Sequence, residues 1–89
     1  MIRILLYGDI KRRVGRRELE LDVHGKSMRE ILAYLAEKYN IGDLIYRDGK
    51  VRGELLIIVD GADWNSLGYL DEEVRDGSTI KIVPVWHGG

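Results

Sequence analysis

Hydrophobic positions recur along this chain with two different periods. "IRILLY" (2–7) is an almost unbroken branched and apolar run, and it predicts a buried strand. Gly8-Asp9 breaks it, and "IKRRVGRR" follows as a basic connector. "ELELDV" (18–23) alternates with period two, so Leu19, Leu21 and Val23 share one face, and the two runs predict a hairpin. From Met28 the period changes. Met28, Ile31, Leu32, Leu35, Ala36 and Tyr39 step by three and four, which predicts a helix with one apolar stripe to cover a sheet. Ser27 and Glu30 stand at the spacing of a capping box, in which each side chain satisfies a backbone N–H at the helix start. Asn40 and Gly42 tolerate left-handed backbone and suit the helix end.

The stretch 43–54 has no clear period and reads as a loop around a partly buried Leu44-Ile45-Tyr46. "LLIIV" (55–59) is apolar at every position, as expected of a strand covered on both faces. Asp60-Gly61 signals a turn, across which "ADW" pairs back. "NSLGYLDEEV" predicts a tight turn that tucks Leu67 and Leu70 inward, and "STIKIVPV" makes the last strand. The order β-β-α-β-β-β fits an α+β fold of the β-grasp kind. A mixed sheet of four to five strands packs on one main helix, with the first and last strands parallel neighbours in the middle. Residues 1–86 form one such domain and 87–89 a flexible tail. Ile2, Ile4, Leu6, Ile80 and Ile82 then face the helix, and Leu5, Tyr7, Val83 and Val85 the other side. A sheet open on one side is ordinarily polar there. This one is apolar, so Leu5, Tyr7, Val83, Val85 and the adjoining Trp86 make a candidate partner-binding face.

Composition changes little. The chain has 89 residues, enough for one domain that buries roughly 60–65% of its unfolded surface. Its 14 basic and 15 acidic residues leave a formal charge of −1, which gives no general pull on nucleic acid or membrane. Lys11, Arg12, Arg13, Arg16 and Arg17 cluster, but without interleaved aromatics they offer no stacking platform for direct nucleic-acid binding, and they read as a solvated connector. No cysteine is present, which excludes thiol nucleophiles, disulfides and thiolate metal sites. His24 and His87 lack partners at ligand spacing, so no metal site is expected. Asp71, Glu72 and Glu73 read as a solvated turn, and Trp64 as core or turn packing. With no signal-like start and no apolar run near ~18 residues, a cytoplasmic protein is expected.

The chemistry gathers at "HGG". A carboxylate is a poor electrophile until an ATP-dependent partner converts it to an acyl-adenylate, which sulfur or an amine then attacks. Two glycines let the backbone thread a narrow channel. His87, Gly88 and Gly89 are therefore expected to be a substrate end, with Gly89 the activated residue and no catalytic residue in the chain. No bound cofactor is expected, since ATP is used by the activating partner.

"DWNSLGYLDEEVRDGSTIKIVPVWHGG" (63–89) resembles the C-terminal block of ubiquitin-related modifiers that double as sulfur carriers. Asp63-Trp64, Leu67-Gly68-x-Leu70-Asp71, Asp76-Gly77 and His87-Gly88-Gly89 carry the likeness. "LLYGDIKRRVGRRELEL" and Pro84 are similar instead to the small, sulfur-carrying subunit of molybdopterin synthase, though the usual Pro-Pro-Val-x-Gly-Gly ending is altered here. The thiazole-pathway sulfur carriers share the same fold. The resemblance implies adenylation at Gly89 by an E1-like enzyme and conversion to a thiocarboxylate. It also implies a sulfur donor, and a downstream sulfur-accepting enzyme or target lysines as partners. Three readings stay open: a carrier and modifier serving tRNA thiolation or similar transfer, a molybdopterin synthase subunit, and a β-grasp interaction module without tail chemistry.

Overall fold

A computed structural model describes residues 1–86; the tail assigned to His87, Gly88 and Gly89 lies outside the described residues. The first strand, β1 (Ile2–Leu6), runs into a short helix, α1 (Gly8–Val14), and returns as β2 (Glu18–Leu21). The long helix α2 (Met28–Lys38) follows, then a single turn α3 (Gly42–Ile45) and a small hairpin of β3 (Tyr46–Arg47) and β4 (Lys50–Val51). The chain closes with β5 (Leu55–Val59), β6 (Ala62–Asp63), a one-turn helix α4 (Trp64–Leu67) and β7 (Thr79–Pro84).

The main sheet has the order β2-β1-β7-β5-β6. β1 and β7 are parallel in its centre, with Ile4 opposite Ile80 and Leu6 opposite Ile82, and the other pairings are antiparallel. This is the β-grasp arrangement. Alternation on each strand sends Ile2, Ile4, Leu6, Leu55, Ile57, Ile80 and Ile82 into the core, where they meet Met28, Ile31, Leu32 and Leu35 of α2. Burial of a side chain of this kind is worth ~1.5–3 kcal/mol, so this layer supplies most of the driving force. The capping box forms as the sequence requires. The Ser27 hydroxyl accepts from the Glu30 N–H at 3.1 Å, and the Glu30 carboxylate accepts from the Ser27 N–H at 3.0 Å. Two further N–H groups of the first turn, those of Met28 and Arg29, donate to the carbonyls of Glu72 and Leu70, so the acidic turn closes the helix start with its backbone.

Four expectations need correction. The basic stretch after Gly8 is a helix, because Ile10 is fully buried and Val14, four residues on, packs half-buried against the same core. Strand 55–59 is covered on one face only: Leu55, Ile57 and Val59 are buried, whereas Leu56 and Ile58 are half-exposed. The stretch 43–54 contains a helical turn and a hairpin anchored by the fully buried Ile45. Leu70 does turn inward, but Leu67 is 51% exposed, since it sits on the outer side of α4.

Candidate functional site

The side of the sheet away from α2 is built from alternate residues of three strands. In one row Leu5, Lys81 and Ile58 stand abreast, and in the next Val83 stands beside Leu56. Leu5, Leu56, Ile58 and Val83 are each half-buried, so four aliphatic side chains surround the exposed Lys81. One rim is polar: Arg3 pairs with Glu18 at 2.9 Å. At the opposite end Tyr7 and Val85 are more open, at 39% and 48% exposure. Of the five predicted face residues, strand register places Leu5 and Val83 on this side, while Tyr7 and Val85 follow the ends of β1 and β7. Leu56 and Ile58 extend the patch. They were missed because an all-apolar run does not say which of its faces is open.

Trp86 stands apart from that patch. β7 ends at Pro84, whose ring lies so close to Gly8 that a Cβ there would be 2.9 Å from the proline Cγ. Gly8 also has φ +57°, so any side chain there meets both a steric and a backbone cost. The Val85 N–H donates to the Glu54 carbonyl at 3.1 Å. The indole Nε1–H of Trp86 then donates to Asp9 Oδ2 at 3.2 Å, while the Arg52 guanidinium lies 4.0 Å from the ring centroid. That distance is within cation–π range. Arg52 is held in turn by the Asp43 carbonyl at 3.4 Å and by Glu54 at 3.7 Å. Its Nε–H is buried without an acceptor among the described residues, a cost of about 1–3 kcal/mol. Glu54 is held below the ordinary carboxylate range, first by its own backbone N–H and further by Arg47 and Arg52.

Asp9, Arg52 and Glu54 were not singled out in the sequence. Gly8-Asp9 registers there only as a break after a strand, and Arg52 lies in the stretch without period. No local signal links either to Trp86.

The basic helix beside this corner is partly neutralised. Arg12 pairs with Asp9, and Arg13 grips Asp43 through two contacts at 3.0 and 3.2 Å. That bidentate pair lowers the Asp43 pKa and raises that of Arg13, in each case chiefly through the hydrogen bond. Lys11, Arg16 and Arg17 point to solvent without ion-pair partners among the described residues. Trp64 packs against the core and meets Tyr69 edge-to-face at 6.3 Å, as packing rather than as an open stacking platform. Among the described residues no group of His, Asp or Glu side chains is placed to hold a metal ion. No helix is long and apolar enough to cross a membrane.

Comparison with known proteins bears on this geometry. The ThiS family pattern matches residues 4–89. A ubiquitin-related modifier 1 homolog of Drosophila simulans is 31% identical over 88 residues, covering 96% of this chain and 83% of the relative. Among solved structures, SAMP1 from Haloferax volcanii superposes with a TM-score of 0.83 at 19% identity, covering 99% of this chain and 98% of that one. The Amycolatopsis orientalis BexX/CysO complex contains a chain that superposes with a TM-score of 0.79 at 21% identity, with both chains fully covered. At such identities the structural likenesses establish the fold alone.

Proposed function

Because the chain belongs to the ThiS family of ubiquitin-like sulfur carriers and modifiers, we propose that the carboxyl group of Gly89 is its working atom. Members of this family act as protein substrates and are not themselves catalysts. In the proposed reaction an ATP-dependent activating enzyme joins the Gly89 carboxylate to AMP and releases pyrophosphate. A hydrosulfide equivalent from a sulfur donor then attacks the acyl carbon to form the C–S bond, the C–O bond to the phosphate breaks as AMP leaves with its electron pair, and a thiocarboxylate remains. That group either gives its sulfur to an acceptor such as tRNA, with water restoring the Gly89 carboxylate, or is consumed when a lysine amine attacks the acyl carbon, forming an amide and expelling hydrosulfide. ATP binds in the partner's site, and this chain supplies only the acyl end.

The observation that carries the reading is the pairing of an aliphatic open face with the strand that leads to His87-Gly88-Gly89. Leu5, Leu56, Ile58 and Val83 offer a docking patch, and β7 runs from that patch toward the glycines. Docking therefore brings the acyl end to a fixed neighbourhood of the partner. The second reading, a dedicated subunit of molybdopterin synthase, rests on Pro84 and on the front-half resemblance.

Incubation with an adenylating enzyme, ATP and a sulfur source is expected to raise the intact mass by the sulfur-for-oxygen difference. Deleting Gly89 is expected to abolish the gain. A gain that survives the deletion removes Gly89 from the mechanism. Recovery from native cells separates the destinations. Lysine-linked adducts support the modifier role, and one constant larger partner supports the synthase subunit.

A further inference from the structure

Trp86 follows the last strand and rests half-buried against the edge of the core, beyond the last fully buried strand residue, Ile82, and after the exposed Val85. Yet the ring is engaged from two distant parts of the chain. Asp9, 77 positions away, accepts its N–H. Arg52 covers its face with a guanidinium whose side chain is only 13% exposed and whose Nε–H has no acceptor among the described residues. Orphaning a guanidinium N–H is unfavourable, and the contacts of the same guanidinium with the indole, the Asp43 carbonyl and Glu54 offset that cost. Pro84 against Gly8 and the Val85–Glu54 bond fix the two residues before it.

We propose that Asp9, Trp86 and Arg52 form an anchor that fixes where the acyl end leaves the domain, making them positioning residues for the activation of Gly89. The inference rests on the function proposed above. Gly89 lies three residues beyond Trp86, and three residues reach at most about 10–11 Å. The partner's reacting nucleotide phosphate must therefore sit within that radius of Trp86 once the open face has docked. The anchor removes the search that a longer loose segment would make. Without it, docking on the aliphatic patch is unaffected, and a smaller share of docked complexes holds Gly89 in reach. The anchor therefore acts on kcat and leaves KM alone.

The test uses the full chain with its cognate adenylating enzyme in an ATP–pyrophosphate exchange assay, beside ¹H–¹⁵N spectra of the carrier. Asp9→Ala and Arg52→Ala together are expected to lower kcat roughly five- to thirty-fold, the ordering entropy of about one residue, with KM within twofold. Trp86→Phe keeps a ring under Arg52 but loses the donor, and should give a smaller drop. Asp9→Asn keeps an acceptor and should recover most of the rate. In the spectra, Asp9→Ala should shift the Trp86 indole N–H resonance and speed the motion of the Trp86 amide. An indole resonance unmoved by Asp9→Ala overturns the anchor. So does an indole that moves while kcat stays within twofold of wild type, and so does a loss confined to KM. If the wild-type chain itself is never charged, the proposed function fails, and the anchor's positioning role in Gly89 activation falls with it, even where the spectra show the contact.

Discussion

Replacing Gly8 with alanine perturbs two things at once, and the structure allows them to be separated. Gly8 has φ +57°, a conformation that costs an ordinary L-residue about 1–2 kcal/mol. The added Cβ would also stand 2.9 Å from Pro84 Cγ and 3.6 Å from its Cδ. Nonbonded carbons rest about 3.5–4.0 Å apart, so the ring or the Gly8 backbone must retreat by roughly 0.6 Å or more. The proline ring can yield only by repuckering at Cγ, and any further relief must come from its backbone. Its strand partner Leu55 is fully buried, so the displacement is passed into β5. Overpacking of this kind costs about 1–3 kcal/mol, which brings the total for Gly8→Ala to about 2–5 kcal/mol. Pro84→Ala removes Cγ and Cδ. In that background Gly8→Ala should cost only the backbone part, about 1–2 kcal/mol, leaving a coupling of about 1–3 kcal/mol between the two positions. The cycle also cancels the effect of losing proline from the unfolded chain. Urea denaturation of the four proteins measures this as a shift in midpoint at constant slope. A Gly8→Ala cost within 0.5 kcal/mol of zero, or an equal cost in both backgrounds, refutes the argument.

Ser27→Ala should cost about 1 kcal/mol, and Ser27→Asp much less, because the Glu30 N–H again finds an acceptor; equal losses in thermal unfolding would show that the box contributes nothing. Val83→Asp should leave the fold intact and raise KM for activation roughly tenfold or more, the worth of one desolvated aliphatic side chain, with kcat little changed. Acid should act through carboxylates held low: Asp43 and Asp71 by hydrogen bonds from Arg13 and Arg29, Glu30 by the Ser27 N–H, and Asp76 by the terminal amino group. Each folded pKa is depressed, so the stability is complete above the unfolded value near ~4 and is lost as pH falls through the folded values. Denaturation midpoints should then be level from pH 7 to about 5 and decline below about 4, and a fall already under way at pH 6 would contradict this assignment.

The parts of the fold governed by near neighbours are legible in the sequence, because period and capping are local. The step from period two to period 3.6 at Met28 and the Ser27–Glu30 spacing define α2, and the alternation in 2–6 and 79–84 decides which residues reach the core. Parity along those same strands puts Leu5 and Val83 on the open side. Tertiary structure decided what depends on contacts between distant segments. The seven residues of α1 are too few to be helical alone in water, and they are helical here because Ile10 and Val14 find a core that other strands supply. Leu56 and Ile58 join the open face only because β5 lies beside β7 at the register that sets Leu56 opposite Val83. Asp9 and Arg52 meet Trp86 only after the sheet has closed, since hydrogen bonds and cation–π contacts act over a few ångströms and carry no mark along the chain.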